Sequence, residues 1–342
     1  MRLLPISQLQ PGDVSADALR STDGRILLRE GVILTESVID ALSRWDIPAL
    51  PVKWPGFEDI DTAPALPAAI IDEMTQWAAK SGDLNWDIIR EAQRIVRKIW
   101  DEQLDRHRQA FELIGVYQVG TPFLTFYVNL VALVMRLGHE LVPEWTQAYT
   151  LAAMLMGFHH AGLKTGEVLD PDPGHGLQMA AQLRQFQIPA PAMTALLQHH
   201  ARYDGNGMPT LKGVDIYRGA MILGLAEEFL TLVFRTDNHS LPAHEALEWI
   251  IGGAGVDFSL ETVTRLQRTV APYATGQVVV VDNHDVAVVR EVPWDWPARP
   301  TIGLLSGRER GNIVDLREVN QQNRVITGIY RERLWPGSQG SA

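Results

Sequence analysis

Apolar positions change their spacing twice along this chain. Between residues 3 and 53, short apolar runs alternate with turn signals: Pro11-Gly12 and Asp23-Gly24, then Ile26-Leu27-Leu28, Gly31, Val32-Ile33-Leu34 and Ala49-Leu50-Pro51-Val52. Runs of that length bounded by Gly and Pro predict a small β-containing domain over residues 1–56. Thr35 ahead of Glu36 and the series Val38, Ile39, Leu42 and Trp45 predicts an N-capped short helix packed on it. From 57 to 112 comes a joint rich in Pro and acidic residues, then amphipathic helices. Ile88, Ile89, Ala92, Ile95, Val96, Ile99 and Leu104 form a helical stripe within 84–110, suited to connecting domains or to forming a homodimer.

Residues 113–271 read as an all-helical domain, with breaks at Gly138 and at 169–174, 188–191 and 204–213. Beyond Pro272 the spacing becomes strand-like again. Val278-Val279-Val280-Val281, a turn over 282–285, Val286 to Val289 and a run at 301–305 predict a β-hairpin and one further strand over 272–342. The expected architecture is mainly α, with a helical bundle core, a small β-containing N-terminal domain and a short β-rich C-terminal tail.

Composition narrows the chemistry. At 342 residues, 46% hydrophobic and 21% charged, the chain has the make-up of a globular protein of two unequal domains. Residues 113–135 carry no charge and are long enough to span a bilayer as one helix. Gly115, Gln118, Gly120, Thr121, Pro122, Thr125 and Asn129 interrupt them, so 123–135 reads as a buried core helix. The start, Met1-Arg2-Leu3-Leu4-Pro5-Ile6-Ser7, lacks the apolar stretch and cleavage site of a signal peptide. With no cysteine, disulfides, thiolate zinc sites and cysteine nucleophiles are excluded, and a cytoplasmic location is expected. A net charge of -11 with no run of Lys or Arg disfavours nucleic-acid polymers, although a few local cations can still admit a small anionic nucleotide.

Five of the ten histidines fall between positions 159 and 200: the pairs His159-His160 and His199-His200, with His175 between them. A lone histidine is more often structural than a ligand. Two adjacent pairs plus a fifth imidazole, each at or near the end of an apolar helical segment, are better explained by one shared cleft. Imidazoles from several helices suit a divalent transition metal such as Fe, Mn or Zn.

The run His199-His200-Ala201-Arg202-Tyr203-Asp204-Gly205-Asn206-Gly207-Met208-Pro209 resembles the HD-GYP signature, in which two His and a Glu precede Asp-Gly and Gly-Tyr-Pro. His159-His160-Ala161-Gly162-Leu163 is similar to that family's upstream His-Asp-x-Gly-Lys, and His175 matches its intermediate His. The resemblance covers roughly residues 121–270. It implies an HD-superfamily helical bundle, two or three metal ions held by His and Asp, and hydrolysis of cyclic di-GMP. Carried over residue by residue, it implies metal ligands at His159, His160, His175, His199, His200 and Glu227, the last from Leu225-Ala226-Glu227-Glu228-Phe229. The matching substrate-contact candidates are Lys164 and Asp204, and, with Met221 at the family's basic position, Arg218 is the nearest cation for a substrate phosphate.

The departures concern the same chemistry. His160 stands where the family has the dyad Asp, and a carboxylate bridges two cations whereas a neutral imidazole offers one lone pair to one. Leu163 replaces the dyad Lys, with Lys164 one residue on and rotated by about 100° on a helix. Tyr127 stands for the first-helix His, Ala201 for the Glu after the His pair, Met208 for the Tyr of Gly-Tyr-Pro and Met221 for a basic residue ahead of Glu227. Asp204, Gly205, Gly207 and Pro209 match, equally as a turn the backbone needs. Three functions fit: a divergent phosphohydrolase with one or two ions and weak or lost phosphodiesterase activity, a non-catalytic module that senses a cyclic dinucleotide or binds a signalling protein, and a competent phosphohydrolase acting on another substrate.

Overall fold

The computed structural model describes residues 2–20, 26–44, 49–54, 56–57, 60, 66–80, 84–103, 109–113, 122–161, 174–234, 240–282 and 284–330. The chain forms two compact units: Met1–Ala63 with Tyr117–Thr121 and Tyr273–Ala342, and Pro64–Val116 with Pro122–Pro272.

In the first unit, β1 (Arg2–Pro5), β2 (Leu19–Arg20) and β3 (Ile26–Leu28) precede α1 (Glu36–Arg44) and β4 (Ala49–Val52). β1 pairs antiparallel with β4 and β2 with β3. Leu4, Leu19, Leu34, Leu42 and Leu50 close a small core beneath them. The expected helix is present, and the Thr35 hydroxyl accepts from the Val38 N–H at 3.4 Å, at the long limit for a cap.

The second unit is the helical bundle: α2 (Ala68–Ala78), α3 (Trp86–Gln103), α4 (Pro122–Leu141), α5 (Thr146–Ala161), α6 (His175–Leu183), α7 (Ala190–Gln198), α8 (Arg218–Phe234), α9 (Ala243–Gly252) and α10 (Leu260–Thr269). α4 is apolar on almost every side, and residues 126–135 are buried without exception. It therefore lies inside the bundle, against α5, α8 and α10. Its polar members are satisfied locally: the Asn129 amide donates to the Thr125 carbonyl, and Arg136 pairs with Glu140 one turn on. No described helix is long and apolar enough to cross a membrane. The apolar stripe of α3 is buried within this core, against α2 and α5. Gly138 does not break a helix as expected. α4 runs through it to Leu141, and the missing side chain admits the Thr146 methyl, which a Cβ would meet at 3.2 Å.

The first unit ends in one antiparallel sheet of β5 (Val278–Val281), β6 (Asp285–Glu291), β7 (Thr301–Leu304), β8 (Ile313–Asp315) and β9 (Ile326–Ile329), ordered β8-β7-β6-β5-β9. The expected hairpin is β5–β6, with Val278 opposite Val288 and Val281 opposite Asp285. Strands β8 and β9 went unforeseen because three or four residues with little alternation give no clear period. The chain is thus mainly α with β-rich ends.

Candidate metal centre

Three short structural rules place the site. α7 starts after Pro189 with a second proline at Pro191, and it ends at Gln198, so His199 and His200 sit at its C-terminal end. The helix dipole is negative there, which favours a cation. α6 begins at His175 itself, with Gly174 at its N-cap. α8 is apolar on most faces and buries Glu227 among Leu223, Ala226 and Leu230.

Two glycines let these helices approach. A Cβ on Gly176 would lie 2.4 Å from the Leu196 carbonyl oxygen and 2.6 Å from the His199 ring. One on Gly224 would lie 2.0 Å from the His199 carbonyl oxygen. Bare backbone at both positions brings α6 and α8 against the end of α7, and one helical turn separates Gly224 from Glu227. The sequence carried a signal for both, glycine inside an apolar helical pattern, but not the partner that makes it necessary.

His175, His199, His200 and Glu227 consequently each offer a donor atom within 4.8 Å of the others. The Nε2 atoms of His175 and His199 are 2.9 Å apart. Glu227 Oε1 lies 3.7 Å from His175 Nε2, and its Oε2 lies 3.4 Å from His199 Nε2. On the far edge of the His175 ring, Nδ1 is 3.2 Å from His200 Nε2. His199 Nδ1–H donates to the Leu196 carbonyl at 2.7 Å. A carbonyl only accepts, so this bond fixes the His199 proton on Nδ1 and leaves Nε2 with its lone pair in the neutral ring.

In the metal-free protein the electrostatics favour the protonated form of Glu227. Burial pushes the Glu227 carboxyl up to about 8, and the neighbouring Glu228 charge raises it further than the Arg202 guanidinium can lower it. Arg202 donates to Glu228 at 2.8 Å and rests over the Phe258 ring. At 3.4 and 3.7 Å the imidazole–carboxylate separations are too long for hydrogen bonds. They match the roughly 3.4 Å between ligands that share one tetrahedral ion at about 2.1 Å. Two neutral imidazoles and a carboxylate, with a backbone acceptor behind one ring, fit a divalent transition metal.

The remaining candidates lie elsewhere. His159 and His160 belong to the last turn of α5, and their side chains lie outside the described residues, as does Lys164 altogether. Asp204 is held in the turn: its carboxylate accepts from the Asn206 backbone N–H at 2.9 Å and from the Asn206 side-chain amide at 2.6 Å. Its own N–H donates to the Val256 carbonyl. Arg218 opens α8 and pairs with Glu261 at 2.5 Å, both half-exposed. Nine residues separate it from Glu227, which is two and a half turns and roughly 13 Å along the axis, on the opposite face.

Tyr127 is fully buried. Its ring lies flat on the α5 backbone, where a Cβ on Gly157 would come within 1.9 Å of it, and stacks near Trp77 at 6.3 Å between centroids. Ala201 and Met221 line a small cleft beside His199 with Tyr203 and Phe258.

No family model and no curated protein matches the chain. Among solved structures it is similar to an HDG"Y"P protein from Bdellovibrio bacteriovorus, at 16% identity and a TM-score of 0.43, covering 77% of this chain and 97% of that one. That likeness is too distant to carry chemistry from one chain to the other.

Proposed function

We propose that this chain is a divergent HD-GYP-type phosphohydrolase homologue linked to cyclic di-GMP signalling, holding one divalent transition metal and having weak or no phosphodiesterase activity. The observation that carries the reading is the convergence of His175 Nε2, His199 Nε2 and the buried Glu227 carboxylate from α6, the end of α7 and α8. These are the positions at which the HD-GYP resemblance implies ligands.

His175, His199 and Glu227 would hold the ion. An ion there supplies Lewis-acid polarisation of a phosphoryl oxygen. The chain's own residues do the rest: the Leu196 carbonyl orients the His199 ring, Gly176 and Gly224 set the helix spacing, and the bundle core excludes water from Glu227. Among the described residues, two His and one Glu leave a position open, the donor set of catalytic rather than structural zinc sites.

What argues against efficient turnover is the surround. Arg218 is paired with Glu261 and Asp204 is held by Asn206, while Ala201 and Met221 stand where the HD-GYP pattern has a Glu and a basic residue. Two-metal phosphoester hydrolysis needs ions about 3.5 to 4 Å apart, and His160 in place of the bridging carboxylate does not supply that bridge. The test is turnover of cyclic di-GMP by full-length protein loaded with Fe, Mn or Zn. The expected rate is far below the roughly 1 per second at which ordinary enzymes begin, and a rate at or above it would overturn the impaired part of the proposal.

A further inference from the structure

The cluster holds three imidazoles, and His175 meets the other two through different ring nitrogens. His175 presents its two ring nitrogens to different neighbours: Nε2 to His199 Nε2 at 2.9 Å and Glu227 Oε1 at 3.7 Å, Nδ1 to His200 Nε2 at 3.2 Å. The in-plane lone pairs of one imidazole point to opposite edges of the ring. An ion reached by Nε2 together with His199 and Glu227 therefore lies on the side of His175 away from Nδ1, and the His200 nitrogen stands at the other edge.

With an ion bound, the donor inventory sets the tautomers. If His175 Nε2 carries a lone pair for the ion, its proton is on Nδ1, and His200 Nε2 lies within reach of that N–H at 3.2 Å. His199 shows the same arrangement, with Nε2 toward the cluster and Nδ1–H on the Leu196 carbonyl at 2.7 Å. Each ring that faces Glu227 thus has one acceptor behind it: a backbone carbonyl for His199 and an imidazole for His175. A ligand histidine usually rests its second nitrogen on such an acceptor, which fixes tautomer and ring orientation.

Resting on the metal reading above, we infer that His200 is a positioning residue for His175 and not a ligand, although its place in the HHxxxDG-like run implies ligation. Its own placement supports this. The His200 carbonyl accepts from the Met208 N–H at 3.0 Å, and a Cβ on Gly207 would meet that same oxygen at 2.3 Å. The 200–208 loop therefore clamps His200 from behind, and with it the acceptor that orients His175.

The experiment is nitrogen NMR of the full-length protein, histidine-labelled with ¹⁵N and loaded with ¹¹³Cd, with signals assigned by single His→Gln variants. ¹¹³Cd splitting is expected on Nε2 of His175 and of His199, and on neither nitrogen of His200. His200→Gln, whose side-chain oxygen can still accept, is expected to keep the metal stoichiometry of the wild type with affinity lowered about 10- to 100-fold. Splitting on a His200 nitrogen, or loss of the ion in a folded His200→Gln, would overturn the positioning role alone. Failure of the wild type to take up cadmium would overturn the metal reading and this role together.

Discussion

The buried end of α7 and the loop that follows it are adjacent in sequence and opposite in character. At His199, with His175 and Glu227, the donors are buried, their lone pairs converge, and glycines on both neighbouring helices keep them close. In residues 204–218, Asp204 accepts from Asn206, and Arg218, a cation that could meet an anionic ligand, is paired with Glu261. The converging donors therefore border a segment in which Arg218 already has a carboxylate partner. Cation holding and anion holding are separable parts of such a site, and among the described residues it is the donors suited to the first that converge.

The comparison breaks most sharply at the ligands themselves. Substituting His199→Ala or His175→Ala should abolish metal uptake, measured by elemental analysis after dialysis, while Arg218→Ala should leave uptake unchanged. Equal losses in all three would mean that the loop belongs to the metal site after all.

Next come the glycines. Gly224→Ala and Gly176→Ala each force a Cβ to within about 2.5 Å of a carbonyl oxygen, and overpacking of this kind costs about 1 to 3 kcal/mol or more. Urea unfolding should show that loss, and metal affinity should fall in the variant that still folds. A glycine in the outer turn, Gly213, has nothing within 4 Å, although its φ of +55° makes a side chain mildly strained. Gly213→Asn should therefore cost well under 1 kcal/mol, since asparagine tolerates that backbone region.

The pH dependence sharpens the electrostatic side. In metal-free protein the folded Glu227 carboxyl sits at about 8 against an ordinary value of 4.5, so the folded state keeps a proton that the unfolded chain loses in between. Stability should accordingly fall as pH rises from about 4.5 to 8, by an amount on the order of a few kcal/mol. Added metal competes for the same carboxylate, so metal-loaded protein should lose less stability over that window, or gain it. Parallel unfolding series with and without a chelator would check the sign. The smallest effect belongs to the surface: Arg218→Ala breaks a half-exposed ion pair and should change stability by less than about 1 kcal/mol.

Much of this was legible beforehand. The helical spacing of 123–135 located the buried helix that centres the bundle, and the clustering of His175, His199 and His200, with Glu227 implied by the HD-GYP resemblance, named four residues that the fold brings together. The position of Arg218 relative to Glu227 was legible too. Nine residues before Glu227 on one helix means the opposite face. Gly138 shows the converse difficulty, since a glycine inside an apolar run reads equally as a break or as a close contact, and Thr146, which decides, is a tertiary neighbour. The hydrogen bonds behind the ligand rings, from His199 to the Leu196 carbonyl and from His175 to His200, depend on ring orientation, which no periodicity reports.

The most direct test of the account is the number of divalent ions bound per chain at saturation, by elemental analysis of full-length protein incubated anaerobically with Fe, Mn and Zn, beside His199→Ala. One ion per chain in the wild type and none in the variant is the predicted result. Two ions per chain, or binding that survives loss of His199, would contradict it.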